Sequence, residues 1–326
     1  MKKKNLLFVL AGLFLLVSCS NSEDDTAANQ GKAIEFRSVV DKTKASLSSD
    51  LQSFFVKGQQ VNSGSTYAEF LSASVYKDGA NWTYSPKKYW PVDGETVNFY
   101  AFAPYSSTIV LSNLTTGTDV SITDYTVPLD QSIQNTAVDF LVAKGNGSNQ
   151  NGSTPISLTF KHALSAATFS AINKNETTSE LVYTISKIEI IKVDEIGTYN
   201  YSTEAWEDNS DKTKTYIAGV PASGVAVQPV GASGAAVNLL SANDVLMVLP
   251  QAPDIFAKVK VTYSLKDGAG VDIYKDATKE LGFPMSFEFE AGKRYNFVFS
   301  SDASNAITLS ATVTPWTSSF IGTEIP

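Results

Sequence analysis

The chain has a single cysteine, Cys19, and a single histidine, His162, in 326 residues, and those two counts limit what its side chains can do chemically. A serine nucleophile activated by imidazole would have to use His162. That residue sits in Phe160-Lys161-His162-Ala163-Leu164, between two runs of strand character, where a packed structural histidine is the expected role. Metal centres built from histidine and cysteine are excluded by number. Asp208-Asn209-Ser210-Asp211 and Asp267-Gly268-Ala269-Gly270-Val271-Asp272 offer the oxygen ligands that calcium takes, but neither has the spacing of a calcium loop, and solvated turns account for both. No glycine-rich phosphate cradle leads into a helix, and no two carboxylates form an assignable acid–base pair. The expectation is a protein that is not an enzyme and uses no cofactor or metal. Aromatic side chains are the remaining candidates, because they stack on sugars and anchor interfaces. They are densest in Asn81-Trp82-Thr83-Tyr84-Ser85-Pro86-Lys87-Lys88-Tyr89-Trp90-Pro91. Trp82 and Trp90 are therefore the candidate ligand contacts, although alternating aromatics on a strand are more often core, which is the expected role here.

The position of Cys19 carries a different chemistry. Lys2, Lys3 and Lys4 precede an apolar run from Leu6 to Val17, the layout of a secretory signal. A run of about a dozen residues is too short to span a bilayer, which needs about 20 in a helix. Leu16-Val17-Ser18-Cys19 resembles the lipobox of bacterial lipoproteins, which implies removal of residues 1–18 and acylation of Cys19. Several acyl chains on one residue exceed the two signals that stable anchoring requires. Residues 19–32 read as a flexible tether, and the acidic stretch Ser20-Asn21-Ser22-Glu23-Asp24-Asp25 resembles a surface-export signal of Bacteroidota lipoproteins. An outer-membrane, cell-surface location follows from these resemblances.

Without Lys2, Lys3 and Lys4, the 25 basic residues fall to 22 against 33 acidic ones, a formal charge of −11. Binding to nucleic acid through charge is excluded on that balance. No disulfide is available to a chain with one cysteine, so stability has to come from packing. Alternation of apolar and polar residues predicts strands over 97–102, 120–125, 156–160, 257–263, 295–299 and 307–313, each with one apolar face. Turn clusters such as Lys77-Asp78-Gly79 and Ala291-Gly292 separate them, and no stretch sustains a capped 3.6-residue repeat. An all-β fold of sandwiches follows. With about 300 residues after the leader, two domains are the prior. The low-complexity stretch Gly145–Ser153 reads as a linker or junction loop, placing one domain at 33–152 and the next at 153–326. Gly219–Ala236, without a charged residue, reads as a long surface loop.

Trp82-Thr83-Tyr84-Ser85-Pro86, Lys88-Tyr89-Trp90-Pro91, Val97–Pro104, Val138–Ala143, Ile156–Ser165 and Val313-Thr314-Pro315-Trp316 occur in an order that resembles the fimbrillin-like family of Bacteroidota, over about Ala33 to Trp316. The resemblance implies two tandem transthyretin-like β-sandwich domains and a role as a structural, accessory or tip subunit of type V fimbriae. Its implied partners are other fimbrial subunits and a host or bacterial receptor or glycan. It further implies assembly by donor-strand exchange: a protease removes the leader and first strand, and a neighbour's strand enters the vacated groove. Main-chain bonds and alternate side-chain pockets supply the affinity of such a strand.

By that resemblance the first strand is Ala33–Val40, with Ile34, Phe36 and Val40 on the face that plugs the groove. In the following loop, Asp41-Lys42-Thr43-Lys44-Ala45-Ser46, lysine stands where the family usually has arginine. Cleavage after Lys44, cleavage after Arg37 and no cleavage are the alternatives, in that order. At the other end Phe320, Ile321 and Ile325 alternate well enough for a short donor strand or a last edge strand. So thin a donor favours an accessory or tip adhesin over a stalk subunit. The alternative reading is a monomeric surface lipoprotein that binds glycans or host proteins through exposed aromatics.

Overall fold

The computed structural model describes residues 31–40, 51–62, 66–91, 95–117, 119–133, 136–207, 212–241, 245–301 and 306–316. Among them the only helical pieces are two single 3-10 turns, Asn149–Asn151 and Thr177–Ser179. A seven-stranded sheet runs in the order β1 (Phe36–Val40), β9 (Ile156–His162), β8 (Leu141–Ser148), β5 (Thr96–Ala103), β2 (Ser53–Asn62), β3 (Thr66–Asp78) and β4 (Asn81–Thr83). A four-stranded sheet follows the order β13 (Ala205–Glu207), β12 (Ile196–Asn200), β7 (Ser121–Thr126) and β6 (Val110–Ser112). One five-stranded sheet runs β16 (Val237–Asn238), β10 (Ser165–Asn173), β20 (Lys293–Ser301) and β21 (Ile307–Pro315), with β17 (Leu246–Val248) also on β10. The other runs β14 (Lys214–Ile217), β11 (Val182–Val193), β18 (Lys258–Lys266) and β19 (Asp272–Gly282), with β15 (Val225–Val227) also on β11. Neighbouring strands are antiparallel except β1 with β9 and β10 with β20.

The all-β architecture agrees with the alternation in the sequence, and each of the six predicted segments overlaps a strand: β5, β7, β9, β18, β20 and β21. Two cores result. The first collects Ile34, Phe36, Phe54, Val56, Val75, Phe99, Leu158 and Phe160 inside the seven-stranded sheet. A second, larger core is shared by the other three sheets and contains Phe169, Tyr183, Ile188, Val259, Phe297 and Trp316. Strand β5 belongs to both. Val97, Phe99 and Ala101 enter the first core, while Tyr100 and Phe102 enter the second. The run Phe99-Tyr100-Ala101-Phe102 is apolar at consecutive positions because both faces are covered, as expected of a strand buried on two sides.

The glycine-rich stretch departs from the sequence expectation. Gly145-Asn146-Gly147-Ser148 is the second half of β8, paired with Phe99 back to Thr96. Its glycines are required by packing: a Cβ on Gly147 would stand 2.6 Å from Ile156 Cδ1 and 2.7 Å from Trp90 Cη2. Low side-chain volume here marks close approach of neighbours, a role glycine also has in strands. Gly147→Ala is expected to cost about 1–3 kcal/mol by overpacking, seen as a lower urea midpoint at unchanged slope. The join expected at 152/153 thus lies between two strands of one sheet, β8 and β9. Within Gly219–Ala236, the short strand β15 pairs with β11 and buries Val227, and the remainder is loop.

The two halves of the chain are also laced together. Strand β12, from the second half, pairs with β7, from the first. The turn after β12 is pinned to the seven-stranded sheet: Tyr201 Oη donates to Ala101 O at 2.9 Å, and Lys144 Nζ donates to Tyr201 O at 2.8 Å. Burial pushes the Tyr201 phenol well above its usual range, so it remains a neutral donor. Glu204 pairs with Lys161 and, at 3.0 Å, with Lys144. The Lys161 hydrogen bond is the main cause that holds the Glu204 carboxyl below the usual carboxylate value, Lys144 adding to it. A depressed folded value means the stabilisation is present above the unfolded carboxylate pKa of about 4.3 and lost as pH falls through the folded one. With the glutamate side chain about a third exposed, the effect is at most about 1 kcal/mol. Glu204→Gln is expected to lower the melting temperature slightly at neutral pH and to leave it nearly unchanged below about pH 4, which flattens the acid limb.

Candidate functional site

The site is the slot that holds the first strand. Its floor is the first core and its two sides are main chain. On one side β1 runs parallel to β9, with Phe36 opposite Ile156 and Val40 opposite Phe160. Ile156 N–H donates to Glu35 O at 2.7 Å, extending the ladder towards Ile34. On the other side the segment 88–90 closes in: Ile34 N–H donates to Lys88 O at 2.9 Å and Trp90 N–H to Lys32 O at 3.2 Å. Ala33 and Tyr89 form an antiparallel bridge. From below, Tyr84 Oη donates to Ile34 O at 3.0 Å. Burial, the largest cause, raises the Tyr84 phenol above its ordinary value, which keeps that proton on the oxygen.

Two side chains point into the floor. Ile34 is 0% exposed and Phe36 4%. The Phe36 ring meets Phe99 at 5.2 Å, Tyr84 at 5.7 Å and Phe54 at 6.3 Å between centroids, the first and last edge-to-face. Burial of each side chain contributes roughly 1.5–3 kcal/mol, and each aromatic pair of this geometry about 0.5–1.5 kcal/mol more. Arg37 points the other way, exposed, with Nε donating to Ser157 Oγ at 2.7 Å. Val40 is in register with Phe160, and its side chain lies outside the described residues, as do Cys19, Lys44, Phe320, Ile321 and Ile325.

The aromatic candidates divide. Trp90 is 4% exposed and packs edge-on to Phe99 at 5.9 Å, so it is a wall of the slot and has no face to offer a sugar. Trp82 is half-buried against Phe54 at 5.0 Å, and Lys77 Nζ sits 5.4 Å from its ring centroid. Trp90 takes the core role that alternating aromatics favour, and Trp82 packs at the margin of that core. Residues 84–90, the second side of the slot, were not anticipated as such from sequence. The density of tyrosine and tryptophan was the available signal, and it reports burial against β1.

His162, at the end of β9, is also interior. Its Nδ1 lies 2.7 Å from Asp139 Oδ2, both side chains are 0% exposed, and Trp316 stacks on the imidazole at 3.9 Å. A ring sealed on its face by an indole is a packing element. The Asp267–Asp272 turn is closed by its own backbone, with Asp267 Oδ1 accepting from Ala269 and Val271 N–H. Asp208–Asp211 lies outside the described residues. No group of three or more potential metal ligands occurs among the described residues.

Solved structures share this architecture. A fimbrial protein from Bacteroides vulgatus superposes with a TM-score of 0.67 at 16% identity, covering 87% of this chain and 99% of that one. A cell-adhesion candidate from Bacteroides ovatus gives 0.55 at 12%, covering 88% and 99%. Another from Parabacteroides distasonis gives 0.51 at 10%, covering 89% and 97%. At such identities the likeness is one of fold. No protein of curated function matches by sequence. The fimbrillin-like family model matches residues 42–316, beginning two residues after β1 and ending on Trp316. With most of its length under that match, the chain belongs to the fimbrillin-like family.

Proposed function

We propose that this chain is a fimbrial subunit, in an accessory or tip position, exported as a surface lipoprotein acylated on Cys19. Its activity is assembly: the segment through β1 is removed and a strand from another subunit takes the slot. The observation that carries this reading is the way β1 is held. It is an edge strand, separated in sequence from β2 by the segment that contains Lys44, and it inserts Ile34 and Phe36 into a core otherwise built by residues 51–160. Withdrawing it would uncover a sheet edge and an apolar slot, the pair of features that strand addition uses and that a cell has to keep covered until export is complete. The fold shared with a fimbrial protein and with adhesion candidates supports the same reading. The buried position of Trp90 weighs against a monomeric protein that binds glycans through that ring.

Brief digestion of the full chain with a lysine-specific protease tests the proposal. A new amino terminus at Ala45 and a heat-resistant ladder on a denaturing gel are expected. Chains cut after Lys44 that stay monomeric under assembly conditions would refute strand exchange.

A further inference from the structure

The outward face of the same sheet carries a second feature. Where β8 and β9 diverge beyond the pairs Leu141–His162 and Val142–Lys161, an open cleft of about 710 Å³ forms between β1, β9, β8, β5 and the turn at Tyr201-Ser202. Its floor is a polar row across four adjacent strands, set by register: Arg37 opposite Ser157, and Asn98 opposite Asn146. In a chain of net charge −8, no carboxylate lines it among the described residues.

The polar groups are unequally occupied. Among the described residues Arg37 uses only Nε, on Ser157, which leaves the outer edge of the guanidinium without a partner there. Asn146 is exposed and its amide makes no hydrogen bond among the described residues. Asn151 accepts from Ser148 N–H through Oδ1, which leaves its NH₂. Asn98 is oriented from beneath, its Nδ2 on the Oε1 of the fully buried Gln59, whose own amide is tied to Leu114 O and Gly117 O. Lys144 is paired with Glu204, a carboxylate it shares with Lys161, and Ser202 at the rim donates to Asp119 Oδ1. Among the described residues, Arg37 is therefore the cation on the floor that has no carboxylate partner.

We propose that this cleft binds a saccharide carrying a single carboxylate, with Arg37 taking the carboxylate and the amides of Asn98, Asn146 and Asn151 taking neighbouring hydroxyls. A guanidinium edge pairs two-pronged with a carboxylate. Side-chain amides offer a donor and an acceptor side by side, the pattern that vicinal hydroxyls match. The size lies in the range of small-ligand sites. Long-range repulsion by the acidic protein disfavours polyanions, which selects a ligand with little charge. The cleft is complete only in the chain that keeps its own first strand, so it is a site of the protein before any strand exchange. Strand exchange would alter it, because β1 supplies Arg37.

Calorimetric titration of the full chain with oligosaccharides ending in glucuronate, galacturonate or N-acetylneuraminate, with lactose and with inorganic phosphate tests the proposal. At least one acidic saccharide is expected to bind, lactose about tenfold more weakly, and phosphate should not displace it. Arg37→Gln should weaken binding about tenfold, the worth of one charged hydrogen-bond pair. Asn146→Ala, on β8 and so independent of how firmly β1 is docked, should weaken it at least about threefold at unchanged melting temperature. No saturable binding of any acidic saccharide, equal binding of lactose, displacement by phosphate, or full affinity in either variant would each overturn it.

Discussion

Phe36→Ala is expected to destabilise the protein by about 3–5 kcal/mol, the range for truncating a buried phenylalanine. The ring is 4% exposed and surrounded by Phe54, Tyr84 and Phe99. Because those three come from separate pieces of chain, β2, the segment after β4 and β5, they cannot close the gap by one small shift, which puts the cost towards the upper end. Arg37→Gln, one residue along the same strand but on its exposed face, should cost less than about 1 kcal/mol. Urea unfolding followed by tryptophan fluorescence reads both, with Trp90 beside the slot as a reporter. Equal, small losses in the two variants would mean that β1 is not docked in solution, and the strand-exchange proposal would go with it.

Trp316→Ala is the other large effect, about 3–5 kcal/mol. The indole is 1% exposed, lies parallel to the His162 imidazole at 3.9 Å, and its backbone N–H donates to Gly292 O at 2.9 Å. Truncation removes the cover from a histidine–aspartate pair whose side chains are both shielded from water, and the alternative of hydrating that pair disrupts the core around it. Trp316→Phe keeps a flat apolar cover and should lose only about 1–2 kcal/mol. If alanine and phenylalanine at this position melt alike, the stacking has no energetic role.

How much of this was legible depends on whether a strand has one buried face or two. Segments with a solvent side, such as 156–160 and 295–299, alternate cleanly and read as strands. Strand β8 reads as a linker or junction loop from Gly145 onward because its packing requirement is the absence of side chains, and local composition cannot tell a space kept empty for Ile156 and Trp90 from a chain that packs against nothing. Strand β19 gave no period-two signal, since Asp272–Gly282 is exposed or half-exposed at every position and is held by backbone pairing with β18. The slot itself is half visible: Ile34 and Phe36 stand out in Ala33–Val40, but their counterparts at 84–90 are distant in sequence and are brought together by long-range pairing of residues 32–34 with 88–90. The cleft was not legible at all, being assembled from single polar residues on four strands.

The parallel pairing of β1 with β9 has a mechanical consequence. Tension applied along the axis of a strand in that slot would load its register pairs, from Phe36–Ile156 to Val40–Phe160, in shear. Shear forces bonds to fail together, whereas peeling opens them one at a time from an end. A strand from a neighbouring molecule seated in the same register would resist a pull along a filament better than its few residues suggest, and Ile34 and Phe36, or whatever side chains replace them, would act as cleats against sliding.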